Sequence, residues 1–184
     1  MERKKIFYWD RHTIVKALKN PKYDLNKVDS LGETALTYAC IQEPDLLDNI
    51  LLYDSDLNAV NFKENNALII CCMHGVNKIE LLIDKGIELE FKNPDGWTAL
   101  IASSIYTPAF IKPLINLDAN VDAQDNNGKT SLMYACIHQF NSNAIYDLLQ
   151  GNPRLDLVDS ENRNVFDIAK IQNNGSHEIL KSYI

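Results

Sequence analysis

The sequence predicts an all-α repeat solenoid, in which pairs of short antiparallel helices stack and are joined by β-hairpin-like loops. Three observations predict it. A short polar segment recurs at a nearly fixed interval along most of the chain. Each recurrence is followed by two apolar stretches of helix length. The composition, with 46% hydrophobic and 23% charged residues in 184, is that of a chain able to bury a core. One such unit cannot bury its apolar face alone, so neighbouring units must stack.

The recurring segment begins as Asp29-Ser-Leu-Gly-Glu-Thr-Ala-Leu, Asn61-Phe-Lys-Glu-Asn-Asn-Ala-Leu and Asn93-Pro-Asp-Gly-Trp-Thr-Ala-Leu. It continues as Asp125-Asn-Asn-Gly-Lys-Thr-Ser-Leu and, decayed, Asp159-Ser-Glu-Asn-Arg-Asn-Val-Phe. The starts are 32, 32, 32 and 34 residues apart. The first column is always Asp or Asn, which closes an Asx-turn on its own backbone. Three residues on, Gly32, Gly96, Gly128 and Asn162 accept a left-handed backbone. Glu64 breaks that column, so the second turn is expected to be strained or rearranged. Thr34, Asn66, Thr98, Thr130 and Asn164 are helix N-caps. Leu36, Leu68, Leu100, Leu132 and Phe166 then share a helix face with the small residues Ala39, Cys71, Ser103, Ala135 and Ala169.

Taken in order, residues 1–27 form an N-terminal cap whose helix is Thr13-Ile-Val-Lys-Ala-Leu, with Phe7, Tyr8 and Trp9 packed in it. Repeats follow at about 28–59, 60–91, 92–123 and 124–157, and 158–184 is a C-terminal capping repeat with Arg163 and Lys170 on a wetter face. The whole is read as a single domain. Second helices begin near Pro44, Lys78, Pro108 and Ala144, with Ser176-His-Glu-Ile-Leu-Lys last. Thr107 is placed as an N-cap before Pro108, and Pro113 is expected to kink its helix. Each unit closes with an apolar residue before a polar one: Leu25-Asn26, Leu57-Asn58, Leu89-Glu90, Val121-Asp122, Leu155-Asp156.

A turn, two antiparallel helices and an extended loop near 33 residues long, with Thr-x-Leu-x-x-Ala, resembles the ankyrin repeat. The resemblance covers roughly 27–184. The family's Thr-Pro-Leu-His is nowhere intact: Ala35, Ala67, Ala99, Ser131 and Val165 stand at the Pro position. Thr37, Ile69, Ile101, Met133 and Asp167 stand at the His position. The first three units are one residue short between their helices. The fourth is long there, at Cys-Ile-His-Gln-Phe-Asn-Ser-Asn.

Chemistry is sparse. Cys40, Cys72 and Cys136 share one column, Cys71 lies one column earlier, and all are read as small buried residues. Stacked helices ~8–10 Å apart are too distant for a disulfide or shared metal between units, and reduced thiols suit the cytoplasm. His74 and His138 sit two units apart and are no ligand pair. A catalytic pair of Cys71 or Cys72 with His74 lacks an orienting group. No His-Glu-x-x-His, Cys-x-x-Cys, phosphate loop or Gly-x-Ser-x-Gly occurs. Acidic residues fall at turns and loops, where solvation is expected. No metal, cofactor or catalytic residue is therefore expected.

The net charge of −7 argues against nucleic acid as partner. No apolar run approaches the ~20 residues of a membrane span, and no secretion signal is read at the N-terminus. Residues 1–30 carry a net +4, which leaves −11 for the rest. That asymmetry either orients a partner or only keeps the surface solvated.

In ankyrin-like stacks the partner is held by the hairpin tips and by the concave face of the first helices. Transferred position by position, the resemblance implies a protein-binding surface of Leu31, Glu33, Phe62, Lys63, Asp95, Trp97, Lys129, Glu161 and Arg163 on the tips. It adds His74, Tyr106 and His138 on the groove. Phe62 and Trp97 are the anchors, unless Trp97 folds back on Pro94. The function expected is a non-enzymatic module, monomeric by itself, holding one protein partner, with a basic partner favoured by charge. The alternative is an inhibitor, of the immunity or antitoxin kind, that neutralises a basic enzyme or toxin. The remote alternative is an enzyme with an unrecognised site.

Overall fold

The computed structural model describes residues 6–20, 22–138 and 143–184. Contacts gather into two compact units, 1–88 and 89–184. The basic residues Arg3, Lys4 and Lys5, and positions 139–142 of the long fourth inter-helix turn, lie outside the described residues.

The first unit holds α1 (Arg11–Leu18), α2 (Ala35–Gln42), α3 (Leu47–Ile50), α4 (Ala67–His74) and α5 (Ile79–Asp84). The first helices of its two repeats, α2 and α4, pack on one another, and each packs on its own second helix, α3 or α5. The second unit holds α6 (Ala99–Tyr106), α7 (Ile111–Asn116), α8 (Ser131–Ile137), α9 (Asn143–Gln150), α10 (Val165–Gln172) and α11 (Ser176–Tyr183). Here α6, α8 and α10 make an inner row, and α7, α9 and α11 an outer row. Among the described residues there is no strand. Each unit has one isolated antiparallel bridge at a hairpin, Val60–Asn66 and Gln124–Thr130.

The caps explain where the inner helices start. Thr34, Asn66, Thr98, Thr130 and Asn164 each hold extended backbone and accept an N–H from the helix they open. The leucine column Leu36, Leu68, Leu100 and Leu132 and the small column Ala39, Cys71, Ser103, Ala135 and Ala169 are buried. Small residues there bring the backbones of neighbouring inner helices close. Trp9 is buried in the N-terminal cap, and its indole N–H donates to the Lys27 carbonyl at 2.9 Å. Tyr8, expected beside it, is instead exposed, because chain alternation turns it away from the side Trp9 fills.

Of the two outcomes expected at Glu64 the strained one holds: the residue takes the left-handed backbone itself, at φ 55°, as Asn162 does at 59°. Three other local expectations are corrected. Thr107 precedes Pro108 but its side chain caps nothing. The outer helices after Pro44 and Pro108 instead open with one 3-10 turn, Pro44–Leu46 and Pro108–Phe110. Pro113 does not kink a helix, because α7 begins at Ile111. That places Pro113 in the first turn, where an N–H would have no intrahelical acceptor. Finally, all four cysteines are buried and outside any disulfide, but two are not distant. Cys71 lies one column before Cys72, and the Cys40 thiol on α2 is close enough to raise the pKa of Cys71 on α4.

Candidate functional site

Each hairpin tip is built on one carboxylate or amide oxygen. Asp29 Oδ1 accepts the N–H groups of Leu31 and Glu33 at 2.7 and 3.0 Å. Asn61, Asn93, Asp125 and Asp159 do the same for Lys63 and Asn65, Asp95 and Trp97, Asn127 and Lys129, Glu161 and Arg163. The expected Asx-turn is therefore present five times, and each closes further with a backbone bond such as Asp29 N–H to Glu33 O at 2.8 Å. Tips touch their neighbours through the backbone. Asn126 N–H donates to Asp95 O at 3.0 Å, and Ser160 N–H to Asn127 O at 2.8 Å. A side chain at Gly96, whose φ is +80°, would meet Asn126 N at 2.7 Å, so this contact requires glycine. The N-terminal segment substitutes for a missing tip, with Ser30 N–H donating to Phe7 O at 2.8 Å.

The second unit presents a cluster of rings. Trp97 lies 6.1 Å from Tyr106 and 6.4 Å from Tyr134, centroid to centroid, and Tyr134 stacks on His138 at 6.0 Å. Tyr106 is 46% exposed, His138 is exposed, and Trp97 and Tyr134 are half-buried. The Tyr134 hydroxyl donates to Asp125 Oδ2 at 2.7 Å. Burial and this carboxylate raise the Tyr134 pKa far above the usual phenol range. Burial lowers the His138 pKa, which favours the neutral imidazole.

The first unit presents a different edge. Leu31 and Phe62 are 60% and 64% exposed at successive tips, and Lys63 Nζ lies 5.6 Å from the Phe62 ring. His74 ends α4 and is exposed. The four cysteines are buried and outside any disulfide, so none of them offers an accessible nucleophile. Among the described residues no group of three His, Cys, Asp or Glu is placed to hold a metal.

A family model described as ankyrin repeats (3 copies) matches residues 7–93 and 79–159. The chain belongs to the ankyrin repeat family. No curated protein matches it. The match to the ankyrin model ends at 159, where the fifth repeat decays. The structure nonetheless gives that repeat a tip, an Asn164 cap and two helices. Ankyrin repeats are generally protein–protein interaction modules and typically non-enzymatic. No described helix is long and apolar enough to cross a membrane.

The structure sorts the residues nominated for this ankyrin surface. Trp97 and Tyr106 come together, with His138 joined to them through Tyr134. Asp95, two residues before Trp97 on the same tip, is exposed, and Lys129 is half-buried on the next tip. Trp97 contacts these rings rather than standing alone. Glu33 is corrected: it is only 5% exposed, since its carboxyl turns inward toward Thr37 and Asn61. Arg163 is half-buried and tied to Asp159 at 2.7 Å and exposed Glu161 at 2.8 Å. The expectation that the acidic residues are solvated also fails at Asp29, Asp125 and Asp159, all buried as tip anchors. Sequence reasoning missed Tyr134. It lies four residues before His138 on the same helix, and that spacing was the available signal.

Proposed function

We propose that this ankyrin repeat protein is a non-enzymatic module that binds one protein partner, with the ring cluster of its second unit as the anchor. The observation that carries this reading is the cluster of Trp97, Tyr106 and Tyr134. Large rings gathered at a surface, partly exposed, suit the centre of an interface. The exposed Leu31 and Phe62 edge of the first unit offers a further contact of the same chemistry. The net charge of −7 favours a basic partner. The same charge favours a narrower reading, in which binding inhibits a basic enzyme or toxin. Four buried cysteines outside any disulfide support a reducing, cytoplasmic setting.

The test begins with capture of the partner under native conditions, followed by binding kinetics. Trp97→Ala should weaken binding ~30-fold with an unchanged helical spectrum, the loss typical of a central aromatic anchor. Lys112→Ala and Asp147→Ala, on the outer helices α7 and α9, should change affinity less than ~2-fold. Losses at the outer helices without a loss at Trp97 would place the partner elsewhere and overturn the reading. Loss of the partner's own activity on binding would select the inhibitor.

A further inference from the structure

The ring cluster has an electrostatic character that narrows what it can hold. Aromatic faces are electron-rich, so a cluster of rings attracts a cation. Carboxylates deepen that attraction here. Asp125 Oδ2 accepts the Tyr134 hydroxyl at 2.7 Å. Burial first, then Asp125 and at longer range Asp95, hold the phenol proton firmly, against a smaller opposing pull from the Trp97 indole. Asp95 itself stands exposed at the tip, with no role in its own turn beyond its backbone.

Elsewhere the protein supplies its own cations to rings. Lys16 lies 5.8 Å from Tyr23, Lys27 4.6 Å from Phe7 and Lys63 5.6 Å from Phe62, all in the first unit. Among the described residues no Lys or Arg is placed over Trp97, Tyr106 or Tyr134. The arginine of a tip in that unit, Arg163, is held by Asp159 and Glu161. Among the described residues, then, no lysine or arginine of the protein covers the faces of this acidic ring patch.

We propose that this patch is a guanidinium receptor: an arginine side chain of the partner lies against the Trp97, Tyr106 and Tyr134 rings with its N–H groups directed to Asp95. A guanidinium fits better than an ammonium for physical reasons. It is planar, stacks on rings, gives up its hydration more readily and presents a fork of donors to a carboxylate. This inference rests on the reading that a partner docks on this face.

The whole chain tests it, because its two tryptophans serve as probe and control. The Trp97 indole lies in the patch, whereas the Trp9 indole is buried in the other unit and bonded to Lys27 O. In proton–nitrogen correlation spectra, N-acetyl-arginine methylamide should move the Trp97 indole signal along a saturating curve and leave Trp9 in place. The citrulline analogue, of the same shape but uncharged, should bind at least ~10-fold more weakly, and the lysine analogue ~3-fold more weakly. Asp95→Asn should weaken the arginine response ~3-fold, and Tyr106→Leu ~5-fold. Equal binding of citrulline and arginine overturns the proposal. So does a preference for lysine, or the absence of any saturable Trp97 shift. Should Trp97→Ala still release a captured partner while arginine shows no preference, this inference fails and the docking reading survives.

Discussion

At the base of each tip, one atom of one side chain determines which neighbour is suitable. The Oδ1 atom always closes the Asx-turn, so Asp and Asn are interchangeable for the turn itself. The second atom differs. Where the column is Asp, its Oδ2 accepts from a donor: the Trp9 N–H at Asp29, the Tyr134 hydroxyl at Asp125, Arg163 at Asp159. Asn61 has an amide there, and that amide faces the buried carboxyl of Glu33, whose pKa it lowers slightly. Glu33 pairs badly all the same: Oε2 is buried without a partner. Burial pushes its pKa up, the Thr37 hydroxyl pulls it down, the Asp29 charge raises it again and Asn61 lowers it, with a net rise. The folded protein thus holds the Glu33 proton more tightly than the unfolded chain does. Stability from this group is present below the unfolded value of 4.5 and is lost as pH rises through the raised folded value. Glu33→Gln is therefore expected to melt at a higher temperature than the parent at pH 7, with the gain shrinking as pH falls toward 4.5. Paired thermal melts across that range check this. A variant that melts lower at every pH would mean the carboxylate anchors the tip as an ion.

Between elements, the polar residue that closes the cap and each of the first three repeats proves to be a connector. Asn58 Oδ1 accepts the N–H of Glu88 at 3.2 Å, Glu90 Oε1 that of Asn120 at 2.8 Å, and Asp122 Oδ1 that of Arg154 at 2.8 Å. Asn26 does more, accepting from Asp56 N–H and donating to Asp54 O. Each bond ties one repeat's loop to the next. Asp122→Ala should cost about 1 kcal/mol in urea unfolding, the usual net worth of one such bond, with the helical spectrum unchanged. Asp156→Ala, whose side chain meets only exposed Arg154, should cost less than about 0.5 kcal/mol. Equal losses at both positions would show that the connector bond contributes nothing. The outer helices carry a second lesson. A proline at position 113 reads as a kink only while the helix is thought to start at Pro108. The 3-10 turn before Ile111 moves the start, and the conflict disappears.

Across the whole molecule, the thiols report on both units with one reagent. Cys40, Cys71 and Cys72 lie in the first and Cys136 in the second, all buried. Burial pushes the Cys136 pKa up to about 12, and the neighbouring Cys40 thiol together with burial raises that of Cys71, away from reactivity. The native protein should therefore label with a thiol reagent at pH 8 at least ~100-fold more slowly than in denaturant, at all four sites, because the thiolate is the reacting form. Fast native labelling of Cys136 alone would show that the second unit opens locally. Fast labelling of all four would remove the packed columns on which the repeat register rests.

Composition, period and local pattern determined the solenoid class, the five registers, every inner-helix cap and the left-handed turn positions. These depend on steric and hydrogen-bonding rules that act within a few residues. The leucine and small-residue columns were legible for the same reason, since helical spacing puts them on one face. At Glu64 the sequence left strain and rearrangement open, and the neighbouring contacts decided for strain by holding a conformation that the residue alone disfavours. Glu33 looked exposed because its column is a tip, and only packing turned its carboxyl inward. Tyr134 was missed as a surface residue because its importance comes from a ring in the preceding repeat and a carboxylate nine positions upstream. Those groups meet only when repeats stack, so the arrangement of rings and charge on the binding face was decided by tertiary structure.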